Sequence, residues 1–299
     1  MTKTQHTMQD PRTQYPGPPF PRQPQDAPGS IEKMDPRPDH GEETYVGSGR
    51  LEGRRALITG GDSGIGRATA IAYMREGAAV AINYLAEEAP DVESLEALFE
   101  KEGARLITLP GDLTDEGFAS GLPKAAHDAM GGLDILVINA GKQTSQEDIS
   151  DITTEQFDRT YKTNVYAMFW MSKAALPLMP PGATIINTTS IQGFSASENL
   201  LDYASTKFAI VGFTQALSKQ ALNKGIRVNG VAPGPVWTPL QPSGGQPQDV
   251  IEQFGDEVPY GRPAQPAELA PTYVFLASQE SGYTTGEVIG VVGGKPITA

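Results

Sequence analysis

From about residue 50 onward the chain alternates two kinds of segment. Short, largely apolar runs of four to six residues fall at Ala56–Thr59, Ala79–Tyr84, Arg105–Pro110, Leu133–Ile138, Ala183–Asn187, Ile226–Val231 and Glu287–Val292. Runs of that length and character predict buried strands. Between them, Arg67–Glu76, Pro90–Glu102, Asp115–Met130, Thr154–Leu176, Tyr203–Asn223 and Glu268–Ser278 carry apolar residues at helical spacing. Gly77 ends the first of these, Thr114 is positioned to cap the third, and Pro177 with Pro180–Pro181 closes the fourth. Repeated strand–helix units with near-continuously apolar strands predict an α/β fold. Residues 49–299 would then form a single domain, with a doubly wound parallel sheet of about seven strands and helices on both faces.

Two stretches break the rhythm. Residues 1–45 hold nine of the 25 prolines, in runs such as PGPPFPRQP and DPRPDHGEE. Such a segment cannot bury enough apolar area to offset its ordering entropy. Residues 1–48 therefore read as an extended or disordered arm. The alternative is an arm that wraps a neighbouring subunit, anchored by Tyr15, Phe20 and Tyr45. The second stretch, Pro233–Pro266, runs for over thirty residues without a clear period, a length that fits a lid over a ligand. Within it Trp237, Leu240, Phe254 and Tyr260 point to an apolar pocket.

The residues that carry chemistry sit on this pattern. Tyr203 and Lys207 are four apart at the start of a helical segment, so phenol and ammonium share one face. Ser190 stands thirteen residues before Tyr203, at the carboxyl end of the apolar run ATIINTTS. A serine there, beside a Tyr/Lys pair on the next helix, makes a proton-handling site. Near the other end of the domain, ITGGDSGIGRA places Gly60, Gly64 and Gly66 between a strand and a helix. Strand, glycine turn, helix and strand within about 30 residues form the mononucleotide-binding unit. Glycines let the backbone approach a pyrophosphate, and the helix N-terminus presents unpaired N–H groups and partial positive charge to it. Glycine turns also serve tight strand–helix packing. Within this unit the nucleotide reading is favoured.

Composition narrows the classes. A formal net charge of −13 over 299 residues argues against nucleic acid or an anionic membrane as partner. The absence of cysteine removes disulfides, thiolate nucleophiles and Cys-ligated metal together. Only His6, His40 and His127 are present, two of them in the arm, which leaves no material for a Ser-His-Asp hydrolase or a His-ligated zinc site. No metal is expected. No apolar run approaches 18 residues, so no membrane span is expected. The opening MTKTQHTMQDPRTQ lacks the apolar core of a signal peptide, and the default expectation is a cytoplasmic protein.

Taken together, the motifs resemble those of the short-chain dehydrogenases/reductases over roughly residues 50–294. They are Thr59-Gly60-x3-Gly64-Ile65-Gly66, Asp112-Leu113, Asn139-Ala140-Gly141, Asn164, Ser190, Tyr203-x3-Lys207 and Pro233-Gly234. The wording NTTSIQG, LDYASTK and VAPGPVWTPL further resembles a bacterial subgroup labelled oxidoreductases or general stress proteins. The resemblance implies a Rossmann-type fold and hydride transfer between NAD or NADP and a small carbonyl or alcohol substrate. It implies Tyr203 as general acid/base, Ser190 orienting the substrate oxygen, Asn164 in a water relay, and Lys207 holding the nicotinamide ribose while lowering the phenol's pKa. At an effective dielectric of ~20, an ammonium about 5 Å away contributes ~3 kcal/mol, roughly two pKa units. For the cofactor it implies Gly60, Asp62, Ser63, Gly64, Ile65 and Gly66 at the pyrophosphate turn and Tyr84 at the end of the second strand. Asp112 and Leu113 would lie at the adenine, Asn139, Ala140 and Gly141 at the adenosine ribose, and Pro233, Gly234, Val236 and Thr238 at the carboxamide or a phosphate. Tyr203 and Lys207 would complete the set.

Where members of the family carry an acid or an arginine after the second strand, this chain has Asn83-Tyr84-Leu85. Asp62, Glu87 and Glu88 surround that corner and would repel a 2′-phosphate, which favours NAD over NADP. Ile138 stands where a second asparagine is common. The resemblance also implies a homotetramer or homodimer built on Thr154–Leu176 and Tyr203–Asn223, with Phe157, Tyr161, Val165, Phe169, Phe208, Val211 and Phe213 shared between core and interface. Two other functions remain open on the same residues: a nucleotide-sensing or scaffold protein, and an isomerase or dehydratase.

Overall fold

A computed structural model describes residues 3–297. Seven parallel strands form one sheet in the order β3-β2-β1-β4-β5-β6-β7, the doubly wound arrangement in which the strand order reverses beside β1. The strands are β1 Arg55–Thr59, β2 Ala79–Tyr84, β3 Leu106–Pro110, β4 Ile135–Ile138, β5 Thr184–Thr188, β6 Arg227–Pro233 and β7 Val288–Val291. Each lies within two residues of the apolar run that predicts it.

Alternation along the strands divides the core. Ala56 and Ile58 of β1 face one side with Val80, Ile82 and Val137, under helices α1 (Gly64–Arg75), α2 (Ala89–Lys101) and α7 (Pro266–Ala277). Leu57 faces the other with Ala81, Leu136 and Ile185, under α3 (Glu116–Met130), α5 (Ala167–Ala175) and α6 (Leu201–Ala221). Successive side chains on a strand point to opposite faces, so strands this apolar can be covered on both.

Two local readings are corrected. The segment read as one helix from Thr154 to Leu176 is α4 (Thr154–Tyr161), a π-helical turn at Lys162–Tyr166, and then α5. Helix α3 is capped not by Thr114 but by Asp115, whose carboxylate accepts from the Phe118 N–H at 2.7 Å. Thr114 is itself held by Asp112, which accepts its N–H at 2.9 Å.

The arm lies extended and ordered along the chain's own domain. Phe20 stacks on Trp237 with ring centroids 4.2 Å apart, and the two join Met34, Ile251 and Phe254 in a small core of their own. Tyr15 donates to Asp39, within the arm itself. Tyr45 donates to the buried Glu76 at 2.6 Å. A proline-rich segment lacks donors for its own carbonyls. Here the domain supplies them: Trp237 Nε1 donates to the Pro36 carbonyl at 2.7 Å, and Arg75 to those of Gly41 and Tyr45 at 2.6 and 2.7 Å. Prolines also leave less backbone freedom to lose, so docking costs this segment less than it would an ordinary chain.

Candidate active site

Strand β1 leads into the glycine turn. Gly60 and Gly64 adopt φ of +59° and +50°, left-handed values that a side chain would strain. Gly66 does something else. A Cβ there would fall 1.8 Å from the Gly60 carbonyl oxygen, so its role is to let α1 pack against the turn. It is not among the residues that line the cleft. Ser63 caps α1 without a side-chain hydrogen bond, leaving first-turn N–H groups to an acceptor from outside the helix.

The turn opens on a cleft of ≈ 790 Å³. Gly60, Asp62, Ser63, Gly64 and Ile65 line it, with Tyr84, Asp112 and Leu113 beyond β2 and β3, and Asn139, Ala140 and Gly141 after β4. Pro233, Gly234, Val236 and Thr238 enter from the end of β6, and Ser190, Tyr203 and Lys207 close the inner wall. Asn139 bridges β4 to the turn by donating from Nδ2 to the Thr59 and Gly60 carbonyls at 3.2 and 3.1 Å.

The inner wall is built from fixed elements. Ser190 follows β5, and its hydroxyl accepts from the Gln192 N–H at 3.1 Å, holding a short 3-10 turn. Tyr203 lies in the first turn of α6. That turn is anchored by buried Asp202, which accepts from the Tyr203 N–H at 2.7 Å and from Thr160 Oγ1 at 2.8 Å. One turn later Lys207 Nζ stands 5.1 Å from the phenol ring centroid and donates to the Thr188 carbonyl at 2.9 Å. Asn164 sits behind the wall, in the π-helical turn. Its Oδ1 accepts from the Lys142 N–H at 2.8 Å, and its Nδ2 donates to the Lys142 carbonyl and to Thr206 Oγ1, both at 3.0 Å. It thereby ties the loop after β4 to α6.

The protonation balance differs from the expected one. Burial pushes the Tyr203 phenol up to about 12, with only the Ser190 hydroxyl working in the opposite direction. Burial also pulls the Lys207 amine down to about 7. Burial is the leading influence on both groups. The same exclusion of water that would strengthen their attraction also disfavours the charge that would exert it.

At the far end, Asp62 is buried with its Oδ2 lacking any hydrogen-bond partner. Burial raises both Asp62 and Glu88, and the nearby Asp62 charge adds to the rise at Glu88. Glu88 lines the cleft as well.

Of the four apolar residues expected at the cleft from residues 233–266, the segment read as a lid, two reach it. Leu240 and Phe254 line it. Trp237 is fully buried against the arm, and Tyr260 is 40% exposed at the surface. Much of the remaining lining is amide and hydroxyl: Gln143, Gln192, Ser197, Asn199, Gln241 and Gln246. Gln143 donates to the Gly245 carbonyl at 2.6 Å, and Asn199 to Gln246 Oε1 at 3.2 Å, so these amides form a supported wall. Sequence reasoning missed them because a buried glutamine and a surface glutamine look alike in a sequence. It also missed Ala27, Pro28 and Gly29 of the arm, Lys142 and Arg159, all of which line the cleft. Among the described residues no cluster of three or more metal-ligating side chains occurs, and no helix is long and apolar enough to cross a membrane.

Comparison with known proteins agrees with this geometry. A family model described as enoyl-(acyl carrier protein) reductase matches residues 60–295. The chain is 57% identical to an uncharacterized oxidoreductase, YghA, of Escherichia coli over 96% of its length and 98% of that protein's. It is 44% identical to a glucose and ribitol dehydrogenase of Daucus carota, covering 92% of this chain and 96% of the other. Among solved structures, a short-chain dehydrogenase from Burkholderia cenocepacia in complex with NADP superimposes with a TM-score of 0.76 at 32% identity, over 82% of this chain and 98% of that one. The chain belongs to the short-chain dehydrogenase/reductase family of oxidoreductases.

Proposed function

We propose that the protein transfers a hydride between a nicotinamide dinucleotide and a carbonyl/alcohol pair, with Tyr203 handling the proton. One observation carries this reading: Ser190, Tyr203 and Lys207 meet the glycine turn in a single cleft. The residues present fit a dinucleotide. The turn is glycine where a side chain would be strained, the first turn of α1 has N–H groups to offer a phosphate, and the unpartnered Asp62 Oδ2 is an acceptor for a ribose hydroxyl.

When bound, the nicotinamide ring accepts or delivers the hydride. The chain supplies the rest. In reduction, Tyr203 Oη–H gives its proton to the substrate oxygen as the carbonyl carbon gains the hydride. In oxidation, the same oxygen takes the hydroxyl proton as the hydride leaves carbon. Ser190 Oγ donates to the substrate oxygen and stabilises charge developing there. Lys207 holds the ribose and, when protonated, favours the phenolate. Asn164 acts through Lys142 and Thr206, keeping the loop after β4 in register with α6.

NAD suits the adenosine corner better than NADP. Asp62 and Glu88 accept hydrogen bonds from ribose hydroxyls and oppose a phosphate. The amide-lined wall suits a small substrate bearing several hydroxyls. The carrot relative named a glucose and ribitol dehydrogenase supports that class. The outer faces of α4, α5 and α6 leave Phe157, Phe169 and Phe208 39%, 46% and 49% exposed, which supports association of these helices in a homodimer or homotetramer.

The test is turnover by purified protein with NAD, NADP and their reduced forms, read at the reduced-nicotinamide absorbance. Aldehydes, ketones, sugars and polyols form the panel. Dinucleotide binding without turnover of any of them would sink the catalytic reading and leave the sensing or scaffold role.

A further inference from the structure

The proline-rich arm contributes to the cleft as well as to the outside of the lid. Ala27, Pro28 and Gly29 belong to the cleft's lining, and the crossing they make is moored at both ends. On one side, buried Asp91 of α2 accepts from the Ile31 N–H at 3.0 Å, and Ser30 Oγ lies 3.5 Å from its other oxygen. Asp91 belongs to the same rigid unit as the glycine turn: Arg67 Nη1 donates to the Asp91 carbonyl at 2.8 Å and to the Asp62 carbonyl at 3.4 Å.

On the other side the mooring is the lid. Gly29 lies so close to it that a Cβ there would be 2.6 Å from the Pro239 carbonyl oxygen. The Gln25 N–H donates to the Pro242 carbonyl at 3.2 Å, and the Gln23 N–H to Gln248 Oε1 at 2.9 Å. Thr238, one residue before Pro239, touches the phosphate turn: a Cβ on Gly64 would be 3.0 Å from its methyl. The crossing therefore runs from α2 to the lid beside the glycine turn.

We propose that residues 27–29 are a wall of the dinucleotide site, so that docking of the arm and binding of the dinucleotide are coupled. The proposal rests on the nicotinamide reading above. A ligand that extends from Asp62 past the glycine turn to Tyr203 passes beneath this crossing and is held by it. Coupling between two binding events is reciprocal. The dinucleotide tightens the arm, and a loosened arm lets the dinucleotide go. An arm that serves only as glue for the lid would support stability without responding to the ligand.

The experiment uses the full chain and NADH as probe. Hydrogen exchange over residues 20–35 is compared with and without saturating NADH, and NADH dissociation is timed by stopped-flow fluorescence in wild type, Gly29→Ala and Asp91→Ala. The first variant pushes the crossing off the lid, and the second cuts its mooring on α2. The expected results are slower exchange around Ile31 when NADH is bound, and dissociation faster by about fivefold or more in both variants, the lower end of common coupling. If either variant does not fold, the exchange measurement on wild type decides. Unchanged exchange, with dissociation within about twofold of wild type, would overturn the coupling. Failure to bind NADH at all would overturn the nicotinamide reading and this proposal with it.

Discussion

At one end of the cleft a phenol and an amine, Tyr203 and Lys207, are shut away from water; at the other end stand two carboxyl groups, Asp62 buried and Glu88 half-buried. Burial is the leading influence on all four and drives each toward its neutral form. The outcomes differ because the charges differ. The inner end pairs an acid with a base, so loss of charge leaves a phenol that keeps its proton and an amine ready to gain one. The outer end pairs two acids, so each charge raises the cost of the other. On the proposed reading, the first end passes a proton to a ligand and the second discriminates among ligands. The proposal thus assigns chemistry to desolvated groups that are complementary and selectivity to desolvated groups that are alike.

The sharpest way to break that division is to remove the phenol's oxygen. Tyr203→Phe keeps the ring and the packing of α6. Its turnover should fall by about 10²–10⁴, the usual contribution of a positioned acid or base, while NADH binding persists. Retained turnover would move the proton-handling role elsewhere. Ser190→Ala should cost on the order of 10² in kcat, typical for one lost donor at a developing oxyanion, with a smaller loss in stability because Ser190 also holds the 3-10 turn.

The pH dependence tests the same end by sign. Oxidation needs the phenol deprotonated, and with burial holding it at about 12 the oxidation rate should climb with pH throughout the alkaline range. Reduction uses the protonated phenol and should not climb with it. Lys207 is pulled below its ordinary value, so the folded protein binds fewer protons there than the unfolded chain. The resulting cost to stability shrinks as pH rises from about 7 toward the ordinary lysine value. Lys207→Met should remove that cost while abolishing activity, and paired denaturation and rate measurements would detect both. A variant that is less stable at every pH would mean the Thr188 hydrogen bond matters more than the desolvation.

The two ends were unequally legible in the sequence. The inner wall depends on spacing within one helix and on the end of one strand, and both survive translation into structure because the strands are apolar throughout and α6 is regular. The π-helical turn at Lys162–Tyr166 was not legible. The apolar pattern runs through it unbroken, and only the engagement of Asn164 with Lys142 and Thr206 marks it. The arm's composition says only that it lacks the apolar residues for a core of its own. Its docking depends on donors about two hundred residues away, such as Trp237 Nε1 for the Pro36 carbonyl, which no local pattern reveals. Trp237 misleads for the same reason: its apolar surface meets Phe20 and not the cleft.

The outer end yields the smallest expected effects and the most direct test of its role. Asp62→Asn and Glu88→Gln each remove a carboxylate that opposes a 2′-phosphate once ionised, so the comparison belongs at pH 9, above the raised values of both groups. At an effective dielectric of ~20, several ångströms away and partly screened, one charge is worth about 1–2 kcal/mol. Each variant should therefore raise the NADP-to-NAD ratio of kcat/KM by about tenfold. Stability should respond in a definite direction. Glu88 is pushed up to about 8 from the ordinary 4.5, so the folded protein holds a proton that the unfolded chain releases. The associated stability is complete below the ordinary value and is lost as pH rises through about 8. Urea midpoints should fall for wild type between pH 5 and pH 9 and fall less for Glu88→Gln, which has no charge to bury. If the variant and wild type instead run parallel across that range while the cofactor ratio still shifts, Glu88 discriminates from a solvated position. The outer end would then select by repulsion at its surface rather than by a buried pair of acids.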